Sequence, residues 1–333
     1  MTRMLLVFVA GVIIGWIAWS AKTTAQENHI RRGLRSTARY LGGQFVPASR
    51  SEIITRTRRG AIVLGCLVSL WALGLAAVHA ISCWDSRSAP SPRWFGSAPD
   101  SSTDGIVIVV HGWQGDSRTM EDVAETVAEE YPSYAVNLWE YEAGTFSNED
   151  PDDLAIQLSQ HVNELAADEQ DIILIGHSLG GLLVRRSYLH SLNTWGQQVS
   201  RIVLLAAPNR GTKALYRSTP LALLDVLTRS YRVGKLIRST YRGNEFVVNL
   251  RLDWIRAFQN MKNPPIVAQI LGREDSLVSA SDSRDVLQFR GSIERLAAGV
   301  KHASVVTDRS ALAHLSEILT IDSDSPELTV VTA

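Results

Sequence analysis

Apolar residues are spaced in two different ways along this chain. Residues 4–21 and 61–83 are runs without any Asp, Glu, Lys or Arg, close to the ~20 apolar residues a helix needs to cross a hydrocarbon layer. From residue 105 onward the apolar runs shorten to strand length. Residues 106–110, 134–139, 172–175, 202–206, 265–271 and 293–297 each read as a strand. Between them the spacing becomes helical: Met120, Val123, Val127 and Tyr131 form one stripe, and Leu154, Leu158, Val162 and Leu165 another. Such recurrence marks one apolar face of a helix. Asp150 followed by Pro151 predicts the start of the second helix, with a capping carboxylate and a proline in the first turn. Residues 182–192 and 308–319 predict two more helices, the last with Leu312, Leu315 and Leu319 on one side. Strands apolar on both faces, alternating with amphipathic helices, predict an α/β fold with a mainly parallel sheet flanked by helices.

Composition adds little to the domain and more to its surroundings. The chain has 333 residues, 45% hydrophobic and 20% charged, with a net charge of −1. It can bury a full core, and nucleic acid is excluded as a main partner. Its two cysteines, Cys66 and Cys83, both belong to the second apolar run, so the rest of the chain has neither a disulfide framework nor a thiolate metal site.

The segment between the two runs carries nine Lys and Arg residues against Glu27 and Glu52. A short basic loop stays cytoplasmic. A membrane region is therefore expected over residues 1–85, with helices at about 4–21 and 61–83, a multi-pass topology, and the following domain on the extracytoplasmic side. For the first run a cleaved signal peptide is the competing reading. That reading would send the basic loop outward, so the two are mutually exclusive. Residues 86–104, rich in Ser, Pro and Asp, read as a linker; 105–320 as the domain; 321–333 as an acidic tail.

The candidate chemistry begins where residues 172–175 run into Gly176-His177-Ser178-Leu179-Gly180-Gly181. A sharp strand-to-helix turn at the end of a buried strand lifts one side chain clear of the backbone. It needs small residues two positions to either side, here Gly176 and Gly180. Ser178 is thereby presented in a fixed place. A serine hydroxyl needs a base oriented by a carboxylate before it becomes a nucleophile. His302, in a loop between the last predicted strand and the closing helix, is the expected base, with His314 the runner-up. Asp275, just beyond the 265–271 strand, is the favoured acid over Glu274, Asp282 and Asp285. The oxyanion formed on attack needs backbone donors. These are expected from the Leu179 N–H and, in the His111-Gly112-Trp113-Gln114-Gly115 loop, the Trp113 N–H, with His111 structural.

The combination of HGW at 111–113, GHSLGG at 176–181, AAPNRGT at 206–212, GREDSLV at 272–278 and KHAS at 301–304 resembles the α/β-hydrolase superfamily. It is most similar there to lipase-like serine esterases of the group that includes the GPI inositol-deacylases and other membrane-associated serine esterases. The resemblance covers about residues 106–319. It implies Ser178 as nucleophile, Asp275 as acid, His302 as base, Trp113 and Leu179 as oxyanion donors, and no cofactor or metal. It also implies that the insert at 209–264, with eleven Lys and Arg against Asp225, Glu245 and Asp253, is a helical lid over the site.

A membrane-anchored serine ester hydrolase acting on an ester or lipid substrate through an acyl-enzyme is the leading expectation. An acyltransferase using the same three residues, and a non-catalytic hydrolase-like binding protein, are the alternatives.

Overall fold

The computed structural model describes residues 60–66, 68–69, 71–74, 76, 91–100, 102–167, 170–213, 234–259, 261–284 and 293–321. Seven strands form one sheet: β1 (Arg93–Phe95), β2 (Gly105–Val110), β3 (Tyr134–Trp139), β4 (Asp171–His177), β5 (Val199–Leu205), β6 (Ile266–Gly272) and β7 (Ile293–Ala297). The described helices of this part are α1 (Glu121–Glu130), α2 (Pro151–Leu165), α3 (Leu179–His190), α4 (Lys235–Ser239), α5 (Glu245–Gln259), α6 (Ala280–Ser283) and α7 (Arg309–Thr320). The strand order is β1-β3-β2-β4-β5-β6-β7. β1 runs antiparallel to β3 and all other neighbours are parallel.

Alternation along each strand divides the core in two. Ile106, Ile108 and Val110 join Leu174, Leu183 and Trp254 on one face, whereas Val107 and Val109 join Val123, Val127 and Leu315 on the other. α2, α3 and α5 cover the first face, α1 and α7 the second. Side chains of this size each contribute ~1.5–3 kcal/mol when fully buried, and every residue of β2 and β6 is buried. Two helix starts are capped by carboxylates: Asp150 accepts from Asp152 N–H at 2.9 Å, ahead of Pro151 in the first turn of α2. Asp308 accepts from Ser310 N–H at 2.8 Å at the start of α7. Arg186 on α3 bridges Asp152 of α2 at 2.5 Å and Asp253 of α5 at 2.7 Å.

Register decides where chemistry can occur. Val110 pairs with Gly176, Gly176 with Leu204, Leu204 with Gln269, and Gln269 with Glu294. The loops that follow β2, β4, β6 and β7 therefore leave the sheet on one rim, where open parallel sheets bind ligands.

Three expectations change. The 86–104 linker contains β1: Trp94 packs against one core face and Phe95 against the other, so two aromatics fix an edge strand that its Ser- and Pro-rich flanks hide. The domain accordingly reaches back to this strand. The 209–264 insert contains α5, whose Trp254 is fully buried and stacked on Phe258 at 4.4 Å. That helix is part of the layer covering the sheet, because its apolar stripe matches the surface of α3. The helix after Ser178 begins at Leu179 rather than residue 182, because the turn passes into helix without a linking residue.

The chain divides into two compact units, Met1–Ala72 and Leu73–Ala333. The 4–21 run, the basic loop over 22–59, residues 214–233 and the tail from 322 lie outside the described residues. In the 61–83 run, residues 61–66, 68–69, 71–74 and 76 are helical, with Ile62 65%, Leu64 62% and Leu73 67% exposed. No helix among the described residues is long and apolar enough to cross a membrane.

Candidate active site

Ser178 sits at the turn between β4 and α3 with φ 52° and ψ −120°. L-residues avoid positive φ, at a cost of roughly 1–3 kcal/mol where structure imposes it. The surroundings hold the turn: Ser178 N–H donates to the Leu205 carbonyl at 2.8 Å, continuing the β4–β5 ladder, and Gly181 N–H donates to the Ser178 carbonyl at 3.1 Å. A Cβ on Gly176 would stand 2.6 Å from the Gly180 carbonyl, and one on Gly180 would strike the carbonyls of Val110 and His111. Both positions therefore exclude any larger residue while the turn keeps this shape.

The loops after β6 and β7 bring the other two candidates to the serine. His302 Nε2 lies 2.8 Å from Ser178 Oγ, and His302 Nδ1 lies 2.7 Å from Asp275 Oδ2. A carboxylate only accepts, so Nδ1 carries the proton and Nε2 presents its lone pair to the hydroxyl. The second oxygen of Asp275 accepts from Leu277 N–H at 2.9 Å and Val278 N–H at 2.7 Å. Asp275 is 7% exposed and Ser178 9%. This arrangement can take a proton from Ser178 and stabilise the imidazolium that results.

The loop over residues 111–115 is held from one side by the segment after β3. His111 is fully buried and stacks on Tyr141 at 4.4 Å, and Tyr141 Oη donates to the His111 carbonyl at 3.0 Å. His111 Nε2 lies 3.3 Å from Glu140 Oε2, while Glu140 Oε1 accepts from Ser117 N–H at 2.6 Å. Burial alone would raise the Glu140 carboxyl, but its bonds to His111 and Ser117 outweigh that and hold it below the usual carboxylate range. Gln114 N–H donates to the Ala143 carbonyl at 2.8 Å with Gln114 at φ 60°. The Trp113 and Leu179 N–H groups make none of the backbone bonds that tie together the turns and loops of the described residues.

The competing residues lie elsewhere. Glu274 is exposed, Asp282 is buried and pairs with Arg242, and Asp285 is outside the described residues. His314 faces Glu317 on α7 at 3.4 Å. His111 is one of the structural histidines, as is His161, which bonds Asn137 at 2.9 Å. Sequence reasoning missed the Glu140–Tyr141 support, since nothing in the sequence singles out these residues in a polar loop.

A parallel sheet with a strained serine after one central strand and an acid and a base after two later ones defines an α/β-hydrolase arrangement. Residues 107–319 match the profile of the Alpha/beta hydrolase family, and the chain belongs to that family. No curated protein sequence matches it. Among solved structures it is similar to the lipase BlEst2 of Bacillus licheniformis in its mature form, with TM-score 0.51 and 19% identity over 69% of this chain and 98% of that one. The propeptide form of the same lipase gives TM-score 0.52 and 19% identity over 69% and 54%. At this identity the likeness speaks for the fold.

Proposed function

We propose that this protein is a serine ester hydrolase. The observation that carries the reading is the 2.8 Å contact from Ser178 Oγ to His302 Nε2, backed by the 2.7 Å contact from His302 Nδ1 to Asp275. Ser178 Oγ attacks the acyl carbonyl as His302 Nε2 takes its proton. The Trp113 and Leu179 N–H groups receive the negative oxygen, and one such donor is worth ~3 kcal/mol of barrier. Collapse of the tetrahedral intermediate passes the proton from His302 to the leaving alcohol and leaves an acyl-enzyme on Ser178. Water, deprotonated by the same histidine, then releases the acid. Asp275 stays ionised throughout and holds the imidazole in its tautomer.

The test is labelling of the full-length protein by a fluorophosphonate, with Ser178→Ala and His302→Ala alongside. Labelling of wild type and of neither variant is the expected result. A folded wild-type protein that stays unlabelled, or a Ser178→Ala variant that still labels, would overturn the proposal. Product analysis with an added alcohol separates hydrolysis from acyl transfer.

The proposal extends to a membrane setting, supported by the uncharged run at 61–83 and the exposed Ile62, Leu64 and Leu73 on its helical residues. With the basic loop on the cytoplasmic side, the hydrolase domain is extracytoplasmic. Reporter fusions after Cys83 test this, and an active cytoplasmic reporter there would reverse the orientation. The insert at 209–264 interleaves its Lys and Arg residues with Leu221, Leu223, Leu224, Val226 and Leu227, a pattern that suits an ester with an anionic head group or a long acyl tail. Equal rates on short-chain and long-chain esters would remove the lipid part of the reading.

A further inference from the structure

The residue beside the serine makes connections that the reaction as written leaves unused. His177 is the last residue of β4, and in a strand its side chain leaves the backbone on the side opposite its neighbour's. It points toward the base. His177 Nε2 lies 3.1 Å from the backbone carbonyl of His302, and the two imidazole rings stand 5.1 Å apart at 39°. A carbonyl only accepts, so Nε2 carries the proton and donates it. Its other nitrogen faces the oxyanion loop: a Cβ on Gly112 would stand 3.0 Å from His177 Nδ1 and 3.0 Å from Ser178 Cβ. One ring therefore separates the loop that bears the base from the loop that bears an oxyanion donor, and the nucleophile is covalently attached to it.

We propose that His177 is a positioning residue for the base, its Nε2–H holding the His302 backbone and its ring setting how far the His302 loop stands from the Gly112–Trp113 loop. The inference rests on Ser178 and His302 acting as proposed above. Its physical content is a distance constraint. The base loop is otherwise tied mainly to the acid loop, through Arg273 N–H to the Ala297 carbonyl at 2.9 Å and Glu274 N–H to the Val300 carbonyl at 3.1 Å. Those bonds fix His302 relative to Asp275. His177 fixes it relative to the serine and the oxyanion donors. Misplacement of a reacting group by ~1 Å costs on the order of 100-fold in rate.

A neutral ring suits the place. Burial, and the unfavourable placement of a positive charge beside His302 and His111, push the His177 imidazole down to about 3, so it adds no positive charge beside the imidazolium that forms on His302.

The experiment compares His177→Phe, which keeps a ring and loses the donor, with His177→Gln, which offers an amide N–H in its place. Each full-length variant is labelled with the fluorophosphonate, and the rate constant and the final stoichiometry are read separately. Ester hydrolysis is measured in parallel. The expected result for His177→Phe is full stoichiometry with a rate constant at least ~10-fold lower, a kcat reduced in step, and a KM within about twofold, because His177 does not touch substrate. His177→Gln is expected to recover most of the rate. Unchanged rates in His177→Phe, a loss confined to stoichiometry at normal rate, or a loss that His177→Gln does not recover would overturn the proposal. Wild-type protein that does not label would defeat the serine mechanism, and this inference with it. A wild type that labels beside an unaffected His177→Phe would defeat the inference alone.

Discussion

Gly272, the last residue of β6, lies against the backbone carbonyl of Val300: a Cβ at position 272 would stand 2.5 Å from that oxygen. The contact matters because residue 272 begins the loop to Asp275 and residue 300 begins the turn to His302. Gly272→Ala must push the two loops apart. Overpacking of this kind costs ~1–3 kcal/mol of stability, and we expect a fall in kcat/KM on the order of 100-fold from the disturbed Asp275–His302 contact. Urea denaturation and steady-state kinetics check both numbers. An alanine variant with wild-type activity would show that the loops adjust freely.

Ser178 stores strain at φ 52°. Replacing it with glycine relieves that strain, offset in part by the ~0.5–1 kcal/mol entropic cost of glycine. Ser178→Gly is expected to be inactive yet more stable than wild type by ~1 kcal/mol. Calorimetry gives the answer, and a lowered Tm would mean that the turn is not held against its preference.

Trp254 tests whether α5 is scaffold or cover. Its ring is fully buried, stacks on Phe258 and lies 4.5 Å from the Arg185 guanidinium carbon. Truncating such a residue leaves a cavity, so Trp254→Ala is expected to cost ~3–5 kcal/mol in thermal or denaturant unfolding. A helix that merely covered the site would tolerate the change with Tm intact and show altered substrate preference instead.

Stability should fall in mild acid. The His177 imidazole is held down to about 3 by burial and by the unfavourable placement of a positive charge beside His302 and His111, against the contrary effect of its bond to the His302 carbonyl. The His161 imidazole is lowered by burial, which the nearby Glu164 opposes. Below the unfolded value of ~6.5 the unfolded chain binds protons that the native chain refuses, so stability is full above that pH and declines as pH drops toward 3. For His177 the loss between pH 7 and 5 is on the order of 2 kcal/mol. Urea unfolding at the two pH values should give a smaller difference in His177→Gln than in wild type. Equal differences would remove His177 as the cause.

Much of this protein is legible one segment at a time. Most of the runs that become β2 to β6 announce themselves because a strand buried on both faces accepts mainly apolar side chains, and α1, α2 and α7 because one helical face must meet the sheet; β7, with Glu294 and Arg295 half-buried, is weaker in this respect. Ser178 and its flanking glycines are readable for a similar reason: the constraint of the turn acts within five residues. Ends of strands also place Asp275 and His302 on one rim, before any distance is known.

Tertiary structure decided the rest. Residues 93–95 are a strand only because β3 offers an unpaired edge and the core accepts Trp94 and Phe95, which three residues among Ser and Pro cannot signal. α5 belongs to the sheet layer because Arg185 and Phe258 receive Trp254, and its local periodicity would fit a lid equally well. His177 meets the His302 carbonyl across 125 positions of chain, and Glu140 meets His111 from a loop without a pattern of its own. Short-range sequence constrains what a residue can do; which distant group it meets depends on how the whole sheet is ordered and on the register that brings its loops to one edge.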